Sequence, residues 1–245
     1  MVERGQPTVV CEDVAITYRV YEDVQPSLRA VLTGRGRTRT YRSIPAVKQV
    51  SFTVTAGQSV GVIGSNGSGK STLLRAIGGL LPVTGGQILV RGTPALLGVG
   101  AALQPRVSGR RNVYLGGMAL GLSRKEVAER FEEIVEFSGL ADAIDLPLRT
   151  YSSGMRARLQ FAISSAVRPD VLLVDEALAV GDKAFRGRSE ERIAELRESA
   201  GTIFLVSHSM GQIKAICDRV LWLERGVLRA DGDPREVIAA YDAAL

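Results

Sequence analysis

The segment that most constrains this chain is the apolar run Val60-Gly61-Val62-Ile63, which passes directly into Gly64-Ser65-Asn66-Gly67-Ser68-Gly69-Lys70-Ser71-Thr72. A short aliphatic strand, a glycine-rich loop and a following helix make one arm of an α/β unit built on a parallel sheet. Glycines let successive backbone N–H groups turn inward around an anion, and the helix adds the positive end of its dipole. The spacing Gly-x-x-x-x-Gly-Lys-Ser makes that anion a nucleotide phosphate. Lys70 then reaches the β- and γ-phosphates, and the Ser71 hydroxyl ligates Mg²⁺.

The rest of the chain agrees with an α/β reading. Thr8 to Tyr18 reads as a strand, and Val47 to Thr55 alternates apolar and polar residues before a turn at Ala56-Gly57 and the strand Ser59 to Ile63. Val171–Val174, Thr202–Val206 and Val220–Glu224 are short aliphatic runs of the kind buried in parallel sheets. Ser123-Arg124-Lys125-Glu126 is a capping box opening a helix to about Phe137, with Gly139 as its stop. A last helix opens with Asp233, Pro234 and Glu236 and is expected to reach the C-terminus, leaving no room for an appended domain. Its 245 residues suit one large domain or two small ones, and no repeat points to a solenoid.

Composition excludes more than it assigns. Hydrophobic residues at 45% and charged residues at 23% are globular values, incompatible with a disordered chain. No apolar run approaches the ~20 residues of a membrane span, and Met1 to Gly5 lacks the apolar core of a secretion signal, so a soluble intracellular chain is expected. Cys11 and Cys217 are too far apart for a metal knuckle, and a single histidine excludes a multi-His site. The net charge of +5 is too modest to indicate nucleic acid. One segment departs from the pattern: Glu22 to Pro45 holds Arg29, Arg35, Arg37, Arg39 and Arg42. It reads as a short helix, Pro26 to Leu32, then a flexible basic loop, serving either as a solvated insertion or as a patch for lipid phosphates or a partner.

Two further elements carry chemistry. Val171 to Val174 delivers Asp175 and Glu176 at a strand end, with Asp175 placed to hold Mg²⁺ and Glu176 to polarise an attacking water. His208 follows the strand Thr202–Val206 at the carboxyl end where α/β sites lie, and a γ-phosphate contact is assigned to it.

These residues, in this order, resemble the nucleotide-binding domain of ABC (ATP-binding cassette) ATPases across almost the whole chain. The resemblance implies a P-loop NTPase fold over residues 1–245, with a RecA-like core, an antiparallel β subdomain and an α-helical subdomain at about 101–168. The family's signature sequence takes the form Tyr151-Ser152-Ser153-Gly154-Met155, ahead of a helix from Arg156 to Ala166. By that likeness Tyr151, Ser152, Ser153 and Gly154 serve the partner's ATP in a head-to-tail homodimer. Asp182 matches the D-loop aspartate, His208 the switch histidine, and Tyr18 the aromatic that stacks on adenine. The Q-loop glutamine position falls on Val99, with Gln104 nearby but out of register.

The Tyr-Ser-Ser-Gly-Met form, with Ala95 to Gly100 and Ser108-Gly109-Arg110-Arg111-Asn112, is similar to the subgroup that exports O-antigen, teichoic acid or lipid-linked galactan. That likeness implies ATP and Mg²⁺ as cofactors and a separate integral membrane permease. It also implies a lipid-linked polysaccharide cargo and a peripheral position on the cytoplasmic face of the cell membrane. Val99 to Tyr114, with Leu103 and Val107 among Arg106, Arg110 and Arg111, is the expected permease contact. Some members carry a C-terminal carbohydrate-binding domain, which is not expected here. The competing readings are an uptake ATPase, or a soluble ABC ATPase acting on nucleic acid or ribosomes. The second generally needs coiled-coil arms or fused cassettes, which this sequence lacks.

Overall fold

The computed structural model describes residues 5–21, 41–97, 103–175, 183–199, 201–207 and 209–244. Its strands are β1 (Pro7–Tyr21), β2 (Tyr41–Thr55), β3 (Ser59–Ile63), β4 (Gly85–Val90), β5 (Pro94–Leu96), β6 (Val171–Asp175), β7 (Thr202–Val206), β8 (Arg219–Glu224) and β9 (Val227–Gly232). Its helices are α1 (Lys70–Ile77), α2 (Gly109–Ala119), α3 (Arg124–Ser138), α4 (Ser153–Ser165), α5 (Lys183–Ser199), α6 (Met210–Ile216) and α7 (Pro234–Asp242).

The strands form two sheets. β2-β1-β4 is antiparallel, and β5-β6-β7-β3-β8-β9 is parallel except for its last, antiparallel pair. Every residue of β6 and β7 is buried, because layers cover both faces of the parallel sheet. Val171, Leu173, Phe204 and Val206 point to one core, shared with α1 and the buried face of β1 and β2. Their neighbours Leu172, Val174, Ile203 and Leu205 point to the other, shared with α5, α6 and α7. The two-residue period of a strand thus divides one aliphatic run between two cores.

α2, α3 and α4 enclose a third cluster around Val113, Phe131, Ile134, Leu148 and Leu159. The expected capping box is present at Ser123 and Glu126, and Gly139 closes α3 in the left-handed conformation. α4 begins at Ser153 rather than Arg156, because the Ser152 hydroxyl accepts the Met155 N–H and starts the helix earlier. None of the helices among the described residues is long and apolar enough to cross a membrane.

The segment before Val47 needs a correction. The expected basic loop to Pro45 gives way to strand from Tyr41, paired through Thr17↔Pro45, Tyr18↔Ile44 and Tyr21↔Tyr41. Aromatic and β-branched residues on both strands favour the extended ribbon, and pairing with β1 completes its backbone hydrogen bonds. The expected helix Pro26–Leu32 and Arg29, Arg35, Arg37 and Arg39 lie outside the described residues.

Candidate functional site

The carboxyl ends of β3, β6 and β7 meet at one edge of the parallel sheet. β7 lies between the other two, and the register sets Asp175 opposite Val206 and Val206 opposite Val62. At the ordinary spacing of neighbouring strands, the Asp175 backbone stands about 10 Å from β3, level with the start of the glycine loop. That juxtaposition creates an open cleft of about 600 Å³. Asn66, Gly67, Ser68, Gly69, Lys70, Ser71 and Thr72 line it along the loop, Asp175 and Val206 from the strand ends, and Tyr18, Ile44, Pro45 and Ala46 from the antiparallel ribbon.

Two glycines make the loop possible. Gly64 has φ +141°, and a Cβ there would lie 1.8 Å from the Leu223 carbonyl oxygen. Gly69 has φ +105°, and its Cβ would lie 2.4 Å from the Ala46 carbonyl oxygen. A side chain at either would be both strained and in collision with backbone. The buried Lys70 ammonium donates to the Gly64 carbonyl at 2.7 Å and to the Ser65 carbonyl at 2.8 Å. At the rim, the Tyr18 hydroxyl lies 3.3 Å from Thr72 Oγ1, which ties the aromatic to the loop.

The cleft fits an anion with a hard cation. The Ser68 hydroxyl is buried in the cradle without a protein partner, which leaves it a hydrogen bond to give to a bound anion. A cationic lysine, a helix start and loop amides supply positive potential. Ser71 and Asp175 supply oxygen donors. Mg²⁺ commonly takes one or two protein ligands and its remaining oxygens from phosphate and water, a demand these two side chains could meet.

Residues 47–179 match the family described as ABC transporter. The chain belongs to that family. It is 40% identical over 244 residues to the O-antigen export system ATP-binding protein RfbB of Myxococcus xanthus, covering 97% of this chain and 56% of that one. It is 39% identical to the Klebsiella pneumoniae protein of the same name, over 98% of this chain and 99% of that one. The teichoic acids export ATP-binding protein TagH of Enterococcus faecalis is 43% identical, over 82% of this chain and 45% of its own. Against some relatives, therefore, the chain spans about half the length, and against others nearly all of it. Among solved structures it is similar to the dimeric post-hydrolysis state of the ATP-binding cassette MJ0796 bound to ADP and Pi. That likeness has a TM-score of 0.68 at 21% identity and covers 93% of this chain and 99% of the other.

In this member of the family, the cleft brings together Tyr18, the loop residues Asn66 to Thr72, and Asp175. Gly64 and Ser65 form the base of the loop behind them. Glu176, Asp182 and His208, like Val99, lie outside the described residues. The signature segment does not line this cleft. Ser152 and Ser153 are exposed, but Tyr151 turns inward and its hydroxyl donates to the Ala143 carbonyl at 2.6 Å. Burial pushes that phenol above its ordinary value. The Tyr151 side chain is thus a core residue of the helical cluster, which leaves Ser152, Ser153 and Gly154 as the accessible part of the expected signature. Sequence reasoning missed Ile44, Pro45 and Ala46, which line the cleft because the ribbon extends farther than the apolar alternation of Val47–Thr55 indicated.

Proposed function

We propose that this chain is the ATP-hydrolysing subunit of an ABC exporter that moves a lipid-linked polysaccharide of O-antigen, teichoic acid or galactan type across the cytoplasmic membrane. The observation that carries the ATPase part is the meeting of Lys70, Ser71, Asp175 and Tyr18 around one cleft. The cargo rests on the relatives, whose names say that they serve O-antigen or teichoic acid export. Packing of the helical cluster against the two-sheet core supports reading residues 1–245 as a single cassette, with its helical part at about 101–168.

The roles follow from charge and position. Lys70 neutralises the β- and γ-phosphates, and Ser71 with Asp175 would hold Mg²⁺, which withdraws charge from the phosphates when bound. Glu176, next after Asp175, orients the attacking water and accepts its proton, while His208 contacts the γ-phosphate. Tyr18 offers its ring to the base. Two copies are to assemble head to tail, with Ser152 to Gly154 of one facing the phosphates held by the other and Asp182 near the junction. A separate permease completes the transporter and keeps this subunit at the cytoplasmic face of the membrane.

Two experiments test the two halves. Lys70→Ala should lose ATP binding and turnover, and Glu176→Gln should keep ATP bound while turnover falls by about 100-fold or more. Normal turnover in either variant overturns the assignment of that residue. Deleting the gene in its own host should leave lipid-linked polysaccharide inside the cell, with restoration by the wild-type gene but not by Glu176→Gln. Unchanged surface polysaccharide would remove the export reading and leave the ATPase reading standing.

A further inference from the structure

We infer that Glu224 is a positioning residue for the phosphate loop, gripping Ser65 from behind so that Lys70 is held correctly in front. The residue stands at the end of β8, outside the cleft, and is half-buried. Its carboxylate accepts the Ser65 hydroxyl at 2.7 Å and the Ser65 N–H at 3.4 Å. From the other side, Lys70 binds the carbonyls of Gly64 and Ser65. Ser65 therefore has its side chain and N–H tied to one charged group and its carbonyl to another. Both peptide planes flanking it lose their freedom to rotate.

The turn that follows Glu224 extends the same brace. The Gly226 N–H donates to the Ser68 carbonyl at 2.9 Å, and the Gly226 carbonyl accepts the Lys48 N–H of β2 at 2.7 Å. The β8–β9 turn thus contacts the loop at Ser65 and Ser68 and links it to the antiparallel sheet. The Ser65 hydroxyl bond is the main reason the Glu224 carboxyl sits below its ordinary value, so it is ionised at neutral pH and its hydrogen bonds are charge-assisted.

A carboxylate behind an anion site has two opposed effects, and they predict opposite results. As a bare negative charge it repels phosphate, so removing it should tighten ATP binding. As a clamp it keeps the loop in its binding shape, so removing it should weaken ATP binding. The clamp is expected to win, because the carboxylate is bonded directly to the loop while its charge is screened by solvent.

The inference rests on the ATP-binding reading of the cleft, and the experiment separates the two. ATP affinity and steady-state turnover are measured on the full chain, with nucleotide-free melting as a check on folding. Glu224→Ala should raise KM for ATP by about tenfold with kcat changed far less, the factor expected for one charge-assisted hydrogen bond. Glu224→Gln keeps an acceptor for the Ser65 hydroxyl and should recover most of that loss. Ser65→Ala should raise KM as well, and the double variant Ser65→Ala/Glu224→Ala should be little worse than the poorer single one. Lys70→Ala is the control: if it binds ATP like wild type, the nucleotide site itself is wrong. If Lys70→Ala loses ATP while Glu224→Ala binds normally or more tightly, the positioning role is overturned. Equal losses in Glu224→Ala and Glu224→Gln, or additive losses in the double variant, overturn it too. Should Glu224→Ala melt at a lower temperature without nucleotide, Ser65→Ala decides, and an unchanged KM there refutes the clamp.

Discussion

Gly109 lacks a side chain at the point where the Tyr151 hydroxyl passes: a Cβ on Gly109 would lie 2.3 Å from Tyr151 Oη and 2.9 Å from the Ile144 carbonyl oxygen. Tyr151, which opens the expected signature segment, is thereby locked against the first turn of α2. Gly109→Ala should destabilise the chain by about 1–3 kcal/mol through overpacking, read as a lowered melting temperature. Tyr151→Phe loses its bond to Ala143, at a cost of about 1 kcal/mol, but removes the colliding oxygen. The double variant should therefore lose less than the sum of the singles. Additive losses would show that the two residues do not press on each other.

The exposed start of α4 gives the dimer model its test. The Ser152 hydroxyl is occupied as a helix cap, but the helix start is open to solvent and suited to an anion from another chain. A mixed dimer of one Lys70→Ala chain and one Ser152→Arg chain should retain one intact site, since both lesions fall on the same interface. It should bind ATP at about half the wild-type stoichiometry, above either parent dimer. Equal binding in the mixture and the parents would rule out a shared site.

The expected permease contact is better tested at its exposed arginines than at Leu103. Leu103 is half-buried and packs against the helical core, so Leu103→Asp would damage folding as well as docking. Arg106 and Arg111 are exposed on the same stretch, whereas Arg110 is paired with Asp145 at 2.7 Å. Buried Asn112 holds the loop in shape through bonds to Gln104, Val107 and Ser108. Arg106→Glu/Arg111→Glu should reduce export at least severalfold while ATP affinity stays within about twofold, because neither residue lines the cleft and exposed charges are screened by solvent. Normal export in cells carrying the pair would move the contact elsewhere.

Burial pushes the Cys11 thiol from its ordinary value of 9.0 up to about 12. The folded chain therefore keeps it protonated across the physiological range, and an alkylating reagent at pH 8 should modify it only after denaturant is added. The linkage has a definite sign. Between pH 9.0 and about 12 the unfolded thiol ionises and the folded one does not, so Cys11 costs the fold stability as pH rises through that window and has no such effect below it. Rapid labelling of Cys11 in the native chain, read by peptide mass, would contradict this.

What the sequence determined by itself was local. The phosphate loop, the aliphatic strands on either side of the sheet's centre, the capping box at Ser123 and the helix stop at Gly139 are each written within about ten residues, where turn chemistry and side-chain period act directly. Only the tertiary structure decided which ends meet. A buried run such as Val171–Val174 states that both faces are covered, but not that β7 separates it from β3 and sets Asp175 level with the loop. Nor does a glutamate closing an aliphatic strand announce a partner 159 residues away at Ser65. The inward turn of Tyr151 onto Gly109 and the extension of β2 back to Tyr41 have the same origin. Hydrophobic pattern fixes which face a residue presents, whereas the neighbour it meets there depends on how the chain crosses the sheet, and that information lies in the packing of distant segments against one another.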